Sequence, residues 1–363
     1  MSVSIYNPML RPRGQVSLFA SGKLEWGKGL VVRTPNWLGD CLVSLPAMYK
    51  LRQLVPPGAG LFVVCRKSVA SLWESVSWID QVVVLTGNHA STADRRRIRD
   101  LGAGVAAVLP NSFSSAFDMW HCGIPVRIGR AGNARNWLLT HTLPGVPRPE
   151  GRAKHHQVAN YLDIPVALGW LGWDVVHEPL VVADAAAIRE SLGMAADRGP
   201  WLVLAPGAAY GPAKQWPAES FAEVARWWVT LRGGSVAVTG TPAEAALGDL
   251  VLANTRGRSL NLAGKTDLRQ LMAVLSGADK VVANDSGTMH LAAAMGRQGV
   301  AIFGSTDPIA TGPLGGRWVV ERKELRCAPC FKRECPLKSG RYACLATIAP
   351  EEVCNSLMAL QGL

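Results

Sequence analysis

Three short polar segments each follow an apolar run, and their residue types suit chemistry on an anionic group. The first segment ends in Asp40, the second contains Lys214 and the third contains Asp285. A carboxylate can accept a proton, a lysine ammonium can neutralise a phosphate, and the unpaired amides at a helix start attract anions. Together the three segments indicate a site for a phosphate-bearing substrate.

The third segment, KVVANDSGTMHLAAAMG, contains a strand, a turn and a helix in succession. Residues 280–283 form an apolar run suited to a buried parallel strand, and residues 289–295 form an alanine-rich helix. The turn between them supplies the amides of Ser286, Gly287 and Thr288. In the alternative interpretation, the aspartate or serine of the turn only caps the helix, a contribution of about 1 kcal/mol.

Apolar runs that alternate with helix-length segments must position these turns. The runs are 30–33, 61–65, 81–85, 105–109 and 126–128 in the first half, and 201–205, 235–239, 281–283, 300–303 and 318–320 in the second. This alternation predicts parallel sheets covered by helices, with ligands at the carboxyl ends of the strands. Because 363 residues exceed one ordinary core, we expect two domains, with a boundary near 179–185. No G-x-G-x-x-G follows any of these runs, so a dinucleotide dehydrogenase is not expected.

The three segments also match family patterns. TPN-x-x-GD, strand-GA-x5-K-x-WP and NDSG-x-x-H resemble the signature of the ADP-heptose heptosyltransferases, inverting glycosyltransferases of family 9, from about residue 29 onwards. The resemblance implies an α/β fold of the GT-B type, in which two Rossmann-like domains face each other across a cleft. Residues 29–182 would form the acceptor domain and 183–348 the donor domain, after an extension over 1–28. For the closing helix, 349–363, one expected position is back on the first domain.

The resemblance also implies a role for each site residue. Asp40 would be the general base. In the alternative interpretation, Asp40 is only a carboxylate that satisfies backbone amides at a helix start. Lys214 would contact the donor phosphates, and the alternative is an ordinary surface lysine. Glu244 would bind the ribose, although Thr241-Pro-Ala-Glu244 also fits a capping box. Asp285 would lie near the donor sugar and phosphates, with the turn amides beside it.

His290 lies one turn into the same helix, where it could donate to a phosphate or fill a polar gap. The loop before Lys214 carries Ala208, Ala209 and Tyr210, where members resembling heptosyltransferase I tend to have hydroxyl side chains. Phosphate contacts there would therefore come from backbone amides or from the tyrosine hydroxyl. No metal is required, because a lysine and a helix start can offset the diphosphate charge.

The activity implied is transfer of a heptose from ADP-heptose to the heptosyl-Kdo inner core of lipopolysaccharide, in the manner of heptosyltransferase II. TPNW and the CAPCFKRECP stretch carry the preference for that branch. The alternatives are a heptosyltransferase I-like enzyme, transfer of another nucleotide-activated sugar, and a non-catalytic nucleotide- or glycan-binding module. A UDP-sugar epimerase of similar two-domain form is a further alternative, which the GD and NDSG contexts disfavour because they match transferases better. The acceptor-binding residues are not identified by these patterns.

Charge and hydropathy point to the partners and the location. Residues 1–180 carry a net charge of +8 out of the total of +11, with basic clusters at 66–67, 95–99 and 127–135. This asymmetry favours a phosphorylated substrate or an anionic membrane surface, and nucleic acid is disfavoured because no nucleic-acid-binding motif accompanies the charge. The phosphorylated acceptor that the resemblance implies, Kdo-lipid A, suits this basic half. Residues 1–28 lack the apolar core of a signal peptide. Because the resemblance implies a lipid-linked acceptor, we expect a cytoplasmic protein that associates peripherally with the inner membrane.

Eight cysteines are unevenly distributed along the chain. Cys327, Cys330, Cys335 and Cys344 crowd its end, at spacings that could hold zinc, although the second pair is wider than a usual zinc knuckle. Packed or labile thiols are the alternative. A secreted disulfide framework is not expected in a chain of this length.

Overall fold

The computed structural model describes residues 4–8, 10, 24–145, 155–195, 199–255 and 257–360. The chain divides into two compact units. The N-terminal unit contains Leu10–Pro149 and Gln157–Glu178, and the C-terminal unit contains Met1–Met9, Glu150–His156 and Pro179–Leu363. The chain therefore alternates between the units, whereas the sequence predicted a single boundary near 179–185. Composition locates linkers, but it does not show on which core a short segment packs.

The N-terminal unit contains a six-stranded parallel sheet in the order β3-β2-β1-β4-β5-β6. Its strands are β1 (Gly29–Arg33), β2 (Gly60–Arg66), β3 (Gln81–Leu85), β4 (Val105–Val108), β5 (Val126–Arg130) and β6 (His141–Leu143). Its helices are α1 (Leu38–Leu54), α2 (Ala70–Glu74), α3 (Thr92–Asp100), α4 (Phe113–His121) and α5 (Val158–Ala167). The fully buried apolar run of β1 places it in the middle of the sheet, where Leu30 pairs with Leu61 on one side and Val105 on the other.

The C-terminal unit repeats this arrangement with strands in the order β12-β11-β10-β7-β8-β9. Its strands are β7 (Trp201–Ala205), β8 (Ser235–Val238), β9 (Ser259–Asn261), β10 (Lys280–Asn284), β11 (Gly299–Ile302) and β12 (Trp318–Glu321). Its helices are α6 (Ala185–Ser191), α7 (Ala218–Arg232), α8 (Ala245–Leu252), α9 (Leu268–Ser276), α10 (Gly287–Ala294), α11 (Pro308–Thr311), α12 (Ala343–Ala346) and α13 (Pro350–Ala359). The predicted α/β class with two Rossmann-like sheets is confirmed.

The strand order of each sheet reverses direction at one point. In the N-terminal unit the reversal lies between β1 and β4, and in the C-terminal unit it lies between β7 and β10. The connections diverge at such a point, which leaves a crevice at the carboxyl ends of the strands where ligands bind. Asp40 follows β1, Lys214 follows β7 and Asp285 follows β10. These three predicted site residues therefore lie at the crevices of their own sheets.

The closing helix corrects one expectation. α13 packs on α7 and on strands β11 and β12 of the C-terminal unit, whereas the sequence analysis offered a position on the first domain. Val353, Leu357 and Leu360 bury one face of the helix against Phe221 and Val300. The spacing of these apolar residues follows the helical repeat, which shows that one face is buried but not which core receives it.

The described start of the N-terminal extension packs on the C-terminal unit. The Tyr6 amide donates to the Trp318 carbonyl at 2.7 Å, and its hydroxyl donates to the Pro308 carbonyl at 2.6 Å. The Tyr6 ring lies so close to Gly312 that a methyl group there would be 2.2 Å from it. Residues 1–3, 9 and 11–23 of the predicted extension lie outside the described residues. Among the helices described, none is long and apolar enough to cross a membrane.

Candidate functional site

Asp40 lies in the first turn of α1, but it does not occupy the capping position of that helix. Trp37 is the N-cap residue, and it makes no side-chain capping bond. The Asp40 carboxylate instead accepts a hydrogen bond from Gln157 Nε2 at 3.1 Å, from the residue that precedes α5. Burial raises the pKa of Asp40, and the Gln157 bond partly opposes that rise. A carboxylate whose pKa is raised is a stronger base once ionised, which suits proton abstraction.

The loop before Asp40 is held by an arginine that the sequence analysis did not single out. Arg33, the last residue of β1, is buried, and its guanidinium donates to the Thr34 carbonyl at 2.6 Å and to Asn36 Oδ1 at 2.9 Å. Burial lowers its pKa, although an arginine still stays charged near neutral pH. The sequence signal that could have identified Arg33 is its position at the end of an otherwise apolar strand. Arg33 therefore positions the TPN loop from inside the domain.

Replacing Gln157 by leucine should shift the pH dependence of the reaction. The substitution removes the one hydrogen bond that lowers the Asp40 pKa, so this pKa should rise further. Because the base must be deprotonated, the acidic limb of the kcat/KM profile should move to higher pH, while the plateau at high pH changes less. Measurement of kcat/KM between pH 5 and 9 tests this, with Asn160→Leu on α5 as a matched control. If the acidic limb does not move, Gln157 does not influence the ionisation that limits activity.

Lys214 and Asp285 form a largely buried ion pair. Lys214 ends a 3-10 turn over Pro212–Lys214, and its Nζ lies 2.6 Å from Asp285 Oδ2. Thr306 Oγ1 donates to the same carboxylate oxygen at 2.6 Å. The Asp285 side chain is 3% exposed and that of Lys214 is 15% exposed, which contradicts an ordinary surface lysine. The structure thus joins two residues that the sequence placed separately, and it adds Thr306, which the sequence analysis missed.

The start of α10 lies beside this pair. Ser286 is the N-cap residue in an extended conformation, but its side chain makes no capping bond. Its Oγ is buried without a hydrogen-bond partner among the described residues. Gly287 and Thr288 open the helix and are partly exposed. The Asp285 carboxylate is bound to Lys214 and Thr306, and the Ser286 side chain makes no capping bond. The capping interpretation of this turn is therefore wrong. An unpaired hydroxyl beside free helix amides suits an incoming polar group.

His290 is buried in α10, with its Nε2 4.0 Å from Asp285 Oδ1. Burial lowers its pKa to about 4, and the neighbouring Asp285 opposes this shift while Lys214 adds to it. The imidazole is therefore neutral near pH 7 and can donate only from its single N–H group. A charged interaction of His290 with a phosphate does not fit this environment.

The loop that carries Lys214 is fixed by Asn284, the last residue of β10. The buried Asn284 side chain donates to the Pro206 carbonyl at 2.7 Å and accepts from the Trp216 amide at 3.1 Å. Within the loop, the Tyr210 hydroxyl donates to the Phe331 carbonyl at 2.8 Å, so it is already engaged. The Lys214 ammonium lies 5.0 Å from the centre of the Tyr210 ring.

A second cation lies beside the same ring. The exposed Arg333 guanidinium is 5.4 Å from the centre of the Tyr210 ring. Its backbone carbonyl accepts from the Ala213 amide at 3.0 Å, so the segment around Arg333 packs directly on the loop. Sequence reasoning missed this arginine, because it is 119 positions from Lys214 in the printed sequence. Asp285 neutralises the charge of Lys214 but is not paired with Arg333, so Arg333 adds net positive charge.

Glu244 follows β8 and forms the predicted capping box. Its Oε2 accepts from the Thr241 amide at 2.7 Å, and the reciprocal bond is present, in which the Thr241 hydroxyl oxygen accepts from the Glu244 backbone amide. The capping interpretation is confirmed, whereas ribose binding stays a prediction. The partly exposed Glu244 carboxylate also lies against the backbone of Gly207, the second residue of the loop that follows β7. Glu244 therefore borders the same crevice as Lys214.

Gly207→Ala should weaken nucleotide binding through Glu244. An added methyl group would lie 2.0 Å from Glu244 Oε1, so the carboxylate must move, while the backbone of Gly207 needs no unusual conformation. We expect ADP affinity to fall by about tenfold and the melting temperature to change little. Calorimetric titration with ADP alongside thermal unfolding measures both, with Gly87→Ala as a matched glycine control, because an added methyl group there would meet only the His89 carbonyl oxygen at 3.8 Å. Unchanged ADP affinity would show that the position of Glu244 is not important for the nucleotide.

The terminal cysteines are described as free thiols. Burial raises the pKa of Cys344 to about 11, and the nearby Cys330, Cys327 and Cys335 contribute to the rise. Within residues 4–8, 10, 24–145, 155–195, 199–255 and 257–360, no group of three or more His, Cys, Asp or Glu side chains is arranged to hold a metal ion. The four thiols thus lie near one another without forming a ligand set, and zinc binding stays a hypothesis.

Comparisons with known proteins agree with the fold and the motifs. The model of the family described as "Glycosyltransferase family 9 (heptosyltransferase)" matches residues 92–340. "Lipopolysaccharide heptosyltransferase 2" of Escherichia coli K12 is 29% identical over 354 residues, covering 91% of this chain and 98% of the relative. "Lipooligosaccharide heptosyltransferase 2" of Haemophilus influenzae is 28% identical over 353 residues, covering 91% and 99%.

A solved structure extends the agreement to three dimensions. The structure of Escherichia coli ADP-heptose lps heptosyltransferase II superimposes with a TM-score of 0.75 at 26% identity, covering 92% of this chain and 98% of that chain. The family match spans more than half of the sequence and includes Lys214, Glu244 and Asp285. The chain therefore belongs to glycosyltransferase family 9, the heptosyltransferases.

Proposed function

We propose that this enzyme transfers a heptose from ADP-heptose to the heptosyl-Kdo inner core of lipopolysaccharide, as heptosyltransferase II does. The observation that carries this proposal is the group formed by Lys214, Asp285 and Thr306 beside the unpaired Ser286 hydroxyl, at the reversal point of the C-terminal sheet. Such a crevice suits a nucleotide diphosphate. The names of the relatives supply the heptose and the lipopolysaccharide, and the heptosyl-Kdo acceptor is the one implied by the resemblance to heptosyltransferase II.

The donor side of the reaction requires neutralisation of the departing diphosphate. The amides at the start of α10 point their partial positive charge at this crevice, and Lys214 and Arg333 supply full charges around Tyr210. Asp285 holds Lys214 in place and would lie near the donor sugar and phosphates. Glu244 would accept from the ribose hydroxyls with the carboxylate oxygen that faces the crevice.

The acceptor side requires a base. Asp40 would remove the proton from an acceptor hydroxyl as that oxygen attacks the anomeric carbon. The new C–O bond forms while the bond from the anomeric carbon to the phosphate oxygen breaks, and ADP leaves with the electron pair. One carboxylate acting as a base, without a second one acting as a nucleophile, produces inversion. The proton stays on Asp40 until solvent removes it.

Acceptor-dependent release of ADP tests the proposal. Purified protein would be incubated with ADP-heptose or with UDP-sugars, with and without Kdo-bearing acceptors that contain or lack the first heptose. The proposal expects release of ADP only from ADP-heptose and only with the heptosylated acceptor. Activity on the acceptor without the first heptose would identify a heptosyltransferase I-like enzyme. Binding of nucleotide without any turnover would favour the non-catalytic module.

We propose a peripheral position on the cytoplasmic face of the inner membrane, because a lipid-linked acceptor is presented at a membrane surface. The excess positive charge of the first half supports attraction to anionic lipids.

A further inference from the structure

Aromatic side chains form one continuous surface on the N-terminal unit. We call it the aromatic patch, and its members are Phe113, Phe117 and Trp120 on α4 and Trp137 on the turn after β5. Ring centres of neighbouring members are 5.6 to 6.2 Å apart. Phe113 is 42% exposed, Trp120 40% and Trp137 63%. Clustered exposed aromatics of this kind usually mark a surface that binds something.

Arginines of α3 border the aromatic patch. The Arg95 guanidinium lies 5.6 Å from the centre of the Phe117 ring, and Arg99 donates to the carbonyl of His121 at 3.4 Å, at the end of α4. Arg96, Arg97 and Arg99 are exposed. Arg97 is paired with the buried Asp94, and Arg95 lies 3.6 Å from the buried Asp118 carboxylate, so Arg96 and Arg99 give this border its positive charge.

Another basic cluster of the first half faces inwards. Arg130 and Arg135 are buried, where Arg130 pairs with Asp163 and donates to the Asn160 carbonyl at 2.6 Å. Arg135 donates to the carbonyl of Arg130 at 2.9 Å. Arg127 donates to the Leu138 carbonyl at 2.7 Å. These arginines satisfy backbone carbonyls of the fold, so this cluster offers a partner less charge than the exposed arginines of α3 do.

We propose that the aromatic patch and the arginines of α3 form the surface by which the enzyme docks on an anionic lipid membrane. Tryptophan and phenylalanine suit the boundary between headgroups and acyl chains, and arginine suits anionic headgroups, so the two features together favour a membrane. The inference rests on the proposed function only for the reason to dock, which is a lipid-linked acceptor.

The position of the aromatic patch fits that purpose. α4 begins after the carboxyl end of β4, and the turn with Trp137 follows the carboxyl end of β5. Asp40 follows the carboxyl end of β1, the neighbour of β4 in the same parallel sheet. The aromatic patch therefore begins at the sheet edge that carries the proposed base. Docking through it would place the membrane near the residue that must meet the acceptor.

Vesicle flotation tests the docking surface without any acceptor. Wild-type protein should float with vesicles of phosphatidylglycerol and phosphatidylcholine, bind much less to phosphatidylcholine alone, and be released by high salt. Trp120→Ser/Trp137→Ser should lower the partition coefficient by about tenfold or more, and Arg96→Gln should lower it by about fivefold. Leu231→Ser is the matched control, because Leu231 is 70% exposed on α7 of the other unit.

Two results would overturn the docking surface. One is that the double serine variant floats like wild type; the other is that its loss of flotation accompanies a halved mass in sedimentation, which would make the aromatic patch an interface between copies of the chain. Sugar transfer to a deacylated, water-soluble acceptor is measured in parallel. Failure of wild type in that assay, with normal flotation, would contradict the proposed function and leave the docking surface standing.

Discussion

Asp40→Asn is expected to lower kcat by about 10²- to 10⁴-fold, the usual contribution of a general base. Asparagine keeps the size of the side chain and can still accept from Gln157, but it cannot take the proton of an acceptor hydroxyl. The affinity for ADP should change little, because the proposed nucleotide contacts come from the C-terminal unit. Steady-state assays with saturating substrates and calorimetric titration with ADP measure the two quantities.

Asp100→Asn provides the control for Asp40→Asn. Asp100 is an exposed carboxylate at the end of α3 in the same unit, so its neutralisation changes the net charge equally without touching the TPN loop. This control should retain nearly normal kcat. If Asp40→Asn also retains nearly normal turnover, Asp40 is not the base, and its burial beside Gln157 has a structural purpose only.

Lys214→Met is expected to weaken ADP binding by about 30-fold or more, in line with the loss of one partner of a largely buried, charge-assisted contact. The same substitution leaves the Asp285 carboxylate, which is 3% exposed, with Thr306 but without its cation. The free energy of unfolding should therefore fall by about 3 kcal/mol. Titration with ADP and denaturant unfolding measure the two effects.

The variant Lys214→Met/Asp285→Asn separates binding from structure. Asparagine removes the unpaired charge, so the double variant should regain most of the lost stability. Its ADP affinity should stay far below that of Asp285→Asn alone, because the phosphate would still lack the ammonium. Recovery of ADP affinity together with stability would show that Lys214 serves only to hold Asp285.

The sequence was sufficient for the parts of the site that depend on local pattern. An apolar run followed by a polar, glycine-bearing turn marks the carboxyl end of a buried strand, and this placed Asp40, Lys214 and Asp285 at strand ends. The capping box at Glu244 depends only on residues three apart, so it was also predictable. The edge strands β6 and β9 were missed because each has three residues and no continuous apolar run.

By itself, then, the sequence determined the α/β class, the capping box at Glu244 and the residue types at each crevice, because burial periodicity and capping boxes act over a few residues. Only the tertiary structure decided that Lys214 is held by Asp285, that Gln157 bonds Asp40, and that the closing helix packs on its own unit. It also decided that Arg130 and Arg135 are buried. These contacts join residues far apart in the chain, so they are set by how helices stack on the two sheets, which a local pattern does not encode.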